Sequence, residues 1–254
     1  MIFDKTQTVR EIAIKHPASL RVFENLGIDY CCGGKRPLQE ACGQANVPIE
    51  TVLQQLGDLD VSNVSPEEQR WTEAPLGNLT AHIVARHHRY VREEAPRVEA
   101  LLEKVVSKHD EAHPELKPIQ ETFVALSQEL SAHMMKEEQV LFPFLEKMEL
   151  AARTGGPAPI GCFESVEFPI ARMLADHDDA GALTAKIRTL SGGYQAPAEA
   201  CPTYRGLYHA LEEFEHDLHH HVHLENNILF PRAVEMEQSL VEAAHAGQHS
   251  APAR

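Results

Sequence analysis

The sequence predicts an all-α protein: a small helical N-terminal head followed by a four-helix up-down bundle. Three observations predict it. Apolar residues recur at three- and four-residue spacing through three of four long segments, the period of a helix with one buried face. The stretches between those segments carry glycine and proline. The body also repeats itself: HMMKEEQVLFP at 133–143 is matched by HVHLENNILFP at 221–231, an offset of 88 residues.

The head is read as residues 1–57, in short helices with clear starts and stops. Thr8 and Glu11 stand in the Ser/Thr-x-x-Glu order of a capping box. Pro17, Pro37 and Pro48 occupy places suited to a first helical turn, and Gly27 and Gly33–Gly34 mark ends. Residues 57–74, GDLDVSNVSPEEQRWTEA, read as a linker. The second domain is read as 75–237, with helices near 76–108, 117–149, 164–190 and 203–237. HPELKP, TGGPAPIG and SGGYQAPAEACP separate them, and the small, polar tail beyond 238 is expected to fray.

The repeat turns this list of helices into an arrangement. Shifting the preceding helices by 89 residues places His88 on His177. Each half is then a helix with one histidine, a loop, and a helix with a His-x-x-x-Glu pair. Two such hairpins make a four-helix bundle.

The stripes select candidate metal ligands by face. In the second long helix Ile119, Phe123, Leu126, Leu130, Val140, Phe144 and Met148 form a stripe whose spacing lands on His133 and Glu137. In the fourth, Tyr204, Leu207, Leu211, Phe214, Leu218 and Ile228 land on His221 and Glu225. A carboxylate at a core position is costly unless paired or bound to a cation. In the first helix Val84, Val91, Ala95, Val98, Leu102 and Val105 pass through His88. His87 is its rival, one residue away, but the repeat aligns His87 with Asp176 and His82 with Ala171. His219, His220 and His223 fall off the stripe and are expected at the surface. The Glu213-x-x-His216 and Glu242-x-x-His245 pairs have a ferritin-type spacing but are discounted, the first off the stripe and the second in the tail.

The six candidates are therefore His88, His133, Glu137, His177, His221 and Glu225. Imidazole and carboxylate without thiolate suit iron, manganese or zinc. Pseudo-twofold symmetry suits two ions, with two histidines each and both glutamates bridging. Open positions that could take an oxo bridge or a diatomic ligand favour iron.

Composition narrows the partners. The 254-residue chain carries 23 Lys and Arg against 38 Asp and Glu, a formal charge of -15. That excess argues against nucleic acid and anionic membrane, both of which need basic surface. No apolar signal region opens the chain and no run of 18 apolar residues occurs, so a cytoplasmic location is expected. Five cysteines without regular pairing fit a reducing compartment.

At AHIVARHHRY, SAHMMKEEQVLFP, ADHDDAG and HHHVHLENNILFP the chain resembles the hemerythrin-like domain. With LGIDYCCGGK at 26–35 in the head, it resembles more closely the di-iron family called repair of iron centres. The family's four histidines fall on His88, His133, His177 and His221, and its carboxylates on Glu137 and Glu225. The resemblance implies two iron ions, oxo- and carboxylate-bridged, and repair of iron–sulfur clusters after nitrosative or oxidative damage, with the protein as an iron donor. Damaged or apo iron–sulfur proteins would be its partners, and nitric oxide or oxygen its small ligands. A nitric oxide reductase, or a sensor or scavenger of nitric oxide or oxygen, would need the same six ligands. A homodimer is compatible with all three. Cys31 and Cys32 are expected at an exposed turn, either packing the head or offering a thiol to iron or nitric oxide. Cys42, Cys162 and Cys201 are isolated and receive no role.

Overall fold

A computed structural model describes residues 3–59 and 71–249. It is all-α, with no strand among the described residues. The linker expected at 57–74 lies mostly outside the described residues. The chain divides into two compact units.

The first unit comprises Met1–Leu79, Leu145–Ile160 and His219–Arg254. Its head contains α1 (Val9–Lys15), α2 (Ser19–Asn25), α3 (Leu38–Gln44) and α4 (Ile49–Gly57). The expected capping box opens α1: Thr8 Oγ1 accepts the Glu11 N–H at 3.1 Å, and Glu11 Oε2 accepts the Thr8 N–H at 2.9 Å. Such a cap stabilises a helix end by about 1 kcal/mol. Val9, Ile12, Phe23, Leu38, Val52 and Leu56 form the head's apolar core. Gly27 leaves α2 at φ 65°, a conformation that favours glycine.

The loop after Gly27 is not the exposed turn that the sequence suggested. Cys31 is 6% exposed, and Gly33 and Gly34 are buried. The Asp29 carboxylate folds the loop over itself, accepting the backbone N–H groups of Cys31, Cys32 and Gly33 at 2.8–3.1 Å. A Cβ on Gly34 would lie 2.7 Å from the Tyr30 carbonyl oxygen, so only glycine fits without a shift. The Cys32 thiol first, then burial and the Asp29 carboxylate, hold the Cys31 thiol well above its ordinary range. Cys31 is therefore a protonated thiol at neutral pH.

Four long helices come after the head. α5 runs 76–109, α6 116–154, α7 Glu167–Leu190 and α8 202–249. Three contain a widened π turn: Val84–His88 in α5, Glu137–Leu141 in α6 and Leu224–Leu229 in α8. In the first unit Glu149 of α6 caps α5, accepting the Leu76 and Gly77 N–H groups at 2.6 and 3.0 Å. A carboxylate at a helix N-terminus also meets the positive end of the helix dipole. α8 does not fray at 238 but stays helical to His249. Its final turns, EQSLVEAAHAG, are rich in good helix formers, and Leu240 is buried.

The second unit comprises Thr80–Phe144 and Gly161–Leu218, so it holds a stretch of each long helix. Successive stretches run antiparallel, which gives the up-down bundle. Its core includes Val98, Leu102, Ile119, Leu126 and Leu207, with Phe123 meeting Phe214 edge to face at 5.1 Å. Buried Glu215 is paired: it accepts from Arg188 at 2.8 Å and from the Tyr194 hydroxyl at 2.9 Å.

The apolar stripe of α6 corrects the sequence reading. Val140 is 43% exposed and Phe144 is only partly buried, whereas Leu141, Leu145 and Met148 face inward. A π turn adds one residue to a helical turn, so every later position moves by one. The stripe keeps its direction only by skipping from 137 to 141.

Candidate metal centre

The second unit gathers four of the six candidates around Glu137. His88, at the end of the α5 π turn, points Nε2 at Glu137 Oε2 from 3.3 Å. His133, one helical turn before Glu137 on α6, points its own Nε2 at the same oxygen from 3.3 Å. His177 on α7 brings its Nε2 to 3.0 Å from His133 Nε2. All four residues are at most 2% exposed. Two ring nitrogens so close need a proton or a cation between them, because two lone pairs repel. The ligand atoms of His133, Glu137 and His177 all lie within 4.8 Å of one another, close enough to hold one ion.

The other two candidates form a pair in the first unit. His221 Nε2 lies 3.0 Å from Glu225 Oε1, one turn apart on α8, and both residues are fully buried. His223 is not a surface residue, as the stripe had suggested, but is 3% exposed. The widened turn and the packing of Tyr30 against its ring, at 5.5 Å, enclose it. The Asn227 side-chain amide donates to His223 Nδ1 at 2.9 Å and to the Tyr30 carbonyl at 2.9 Å. Burial drives the His223 pKa down from 6.5 to about 3.

Carboxylates behind the ring nitrogens orient the imidazoles. His88 Nδ1 lies 2.6 Å from Glu138 Oε1, and Arg92 holds the same oxygen. His133 Nδ1 lies 3.4 Å from Asp176 Oδ2, which also binds Lys136 at 2.7 Å. Burial opposes the charge on Glu138, but His88 and Arg92 hold its pKa below the usual range. Burial likewise opposes Asp176, and Lys136, His133 and Arg172 outweigh it. Such pairing favours the proton on Nδ1 and leaves Nε2 with the lone pair that a metal would need.

Sequence reasoning missed Glu138 and Asp176, which stand next to candidate ligands in the chain and look like ordinary surface charge. It also missed the π turns. Their signal was present in Pro143 and Pro231, each six residues past a candidate glutamate. A helical proline cannot donate to the carbonyl four residues back and crowds it. Those carbonyls belong to residues 139 and 227, both inside widened turns. His87 is buried too, with Nδ1 3.1 Å from Asp217, so the π turn turns two consecutive histidines inward.

The donor set is nitrogen and oxygen without sulfur. It fits a borderline or hard cation such as iron, and a buried carboxylate among imidazoles is well compensated by one. Among the described residues no helix is long and apolar enough to cross a membrane.

Comparison with known proteins agrees with this geometry. A family model described as the hemerythrin HHE cation binding domain matches residues 79–233, and one described as a domain of unknown function matches residues 5–60. The iron-sulfur cluster repair protein YtfE of Musicola paradisiaca is 35% identical over 92% of this chain and 98% of its own. Its namesake in Pectobacterium carotovorum subsp. carotovorum is 36% identical over 92% and 99%. A probable iron-sulfur cluster repair protein of Haemophilus influenzae is 34% identical over 90% and 96%. With a matching profile across most of its helical body and buried histidines and glutamates inside it, the chain belongs to the hemerythrin HHE cation binding family.

Proposed function

We propose that this chain repairs damaged iron–sulfur clusters in the cytoplasm by donating iron from a two-iron centre. The observation that carries the proposal is the length of the likeness. Relatives named for cluster repair match head and bundle together, over about nine-tenths of this chain. A bundle serving only to bind a diatomic gas would not need the head.

The ions would be held by His88, His133, Glu137, His177, His221 and Glu225, with both glutamates and an oxo group as bridges. The sequence repeat supports treating the His221–Glu225 pair as the counterpart of His133–Glu137. When bound, iron supplies an oxidation-dependent cargo: hard ferric ions favour carboxylates, and the ferrous state holds them less firmly. The chain's own part is to present Nε2 atoms fixed by Glu138 and Asp176.

The test mixes reduced protein with an apo iron–sulfur enzyme, a sulfide source and a competing ferrous chelator. The enzyme should regain activity, and Glu137→Gln or Glu225→Gln should abolish the recovery. Iron that stays bound while nitric oxide is consumed over many turnovers, with a supplied reductant, would replace donation with reduction.

A further inference from the structure

A second group of metal-binding side chains lies in the second unit, at the turn between α5 and α6 and the loop before α8. His109 ends α5, and His113 stands after it in the His-x-x-x-His order of paired metal ligands. Glu199 and Cys201 face them from the loop. His109 Nε2 lies 3.5 Å from Cys201 Sγ, and His113 Nε2 lies 3.6 Å from Glu199 Oε1. So each histidine presents the same ring nitrogen to one of two residues that are themselves only two positions apart.

The surroundings orient both rings. His113 Nδ1 lies 3.1 Å from Glu115 Oε1, an arrangement that places the proton on Nδ1 and leaves Nε2 bare. The Tyr204 hydroxyl reaches the same Glu115 oxygen at 3.4 Å. The Tyr204 ring packs against both imidazoles, at 5.5 Å from His109 and 5.4 Å from His113. The two imidazoles are 6.5 Å apart between ring centres. Glu199, with a side chain 73% exposed, has room to turn inward, and His113 sits at the rim.

We propose that His109, His113, Cys201 and Glu199 form a mononuclear site for a zinc-class divalent cation, distinct from the iron centre. Two imidazoles, one thiolate and one carboxylate make a borderline-soft tetrahedral set, the kind that zinc takes. The thiolate and carboxylate neutralise the ion's two charges. Binding sends the Cys201 proton to solvent. The site closes when Glu199 and His113 swing toward the His109–Cys201 pair. The 21 residues from His88 to His109 along α5 span about 30 Å at the helical rise, so this site and the iron ligands are independent. Its effect would be to fasten the α5–α6 turn to the loop that starts α8.

Cobalt(II) is the probe, because only thiolate ligation gives it a strong near-ultraviolet charge-transfer band. The titration uses full-length, iron-loaded protein carrying Cys31→Ser and Cys32→Ser, which removes the head thiols. One equivalent of cobalt should raise the band and zinc should erase it. Cys201→Ser should abolish it, while His109→Ala should weaken cobalt binding at least about 10-fold, with iron content unchanged. Glu199→Gln, at an exposed side chain that cannot endanger folding, should weaken binding and leave the band in place. A band that survives Cys201→Ser, or none in cobalt excess with the parent, overturns the site.

Discussion

His87 and His88 are neighbours in sequence, equally buried, and held by different partners. His87 faces Asp217, whose side chain is 9% exposed, whereas His88 stands between Glu137 and Glu138. His88→Ala should therefore strip iron or alter its absorption. His87→Ala should leave iron content near the parent's and cost stability instead, about 1–3 kcal/mol for a poorly compensated Asp217. Iron analysis and urea unfolding of both variants check this, and equal iron loss from the two would refute the assignment. The inward placement of five candidates was legible because each continues an apolar stripe, and that of His177 because the repeat aligns it with His88. Glu138 and Asp176 were not, since nothing in a sequence separates a carboxylate that backs a ring nitrogen from one that faces water. His223 was misplaced for a related reason: periodicity reports one helix face, and its second face is covered by Tyr30 from the head.

Each π turn trades helical regularity for position. In α6 the extra residue lets His133 and Glu137 share a face with Leu141 and Leu145, although strict three-four spacing points to Val140 and Phe144. Gln139 is exposed within that turn. Deleting it, together with Pro143→Ala to restore the missing donor, should let α6 run as a regular helix with its stripe in phase. The variant should keep its far-ultraviolet helical signal yet bind iron more weakly. Unchanged iron affinity, measured by chelator competition, would mean that the widened turn serves packing alone. Helix existence was easily read from the sequence, because the apolar periods and the Gly- and Pro-bearing connections mark the same segments. The phase beyond the π turn of α6 was not, because one inserted residue leaves local propensity unchanged and rotates only the residues C-terminal to it; in α5 Val91, Ala95, Val98, Leu102 and Val105 are buried as their stripe gave.

At the scale of the whole molecule, the head is gripped by the far part of α8. Asn226 donates to the Cys31 carbonyl at 3.2 Å, and Asn227 joins Tyr30 to His223. Burial keeps His223 neutral, as accepting that amide requires, and lowers its pKa from 6.5 in the unfolded chain to about 3 when folded. Its contribution to stability is complete above pH 6.5 and is lost as pH falls through that window, because the unfolded chain then binds the proton. The slope is at most about 1.4 kcal/mol per pH unit. Urea unfolding of metal-free protein at pH 7 and pH 4.5 should show the drop, and His223→Gln should lessen it; identical slopes would discount His223 as the cause. The repeat had suggested two equivalent halves. Yet after the paired glutamates the first half carries Glu138, which supports an imidazole, and the second carries Asn226, which holds the head. One inherited position has become two specialised ones. An exchange of the halves would deprive His88 of its carboxylate and the head of its anchor together, so the duplication can no longer be run in reverse.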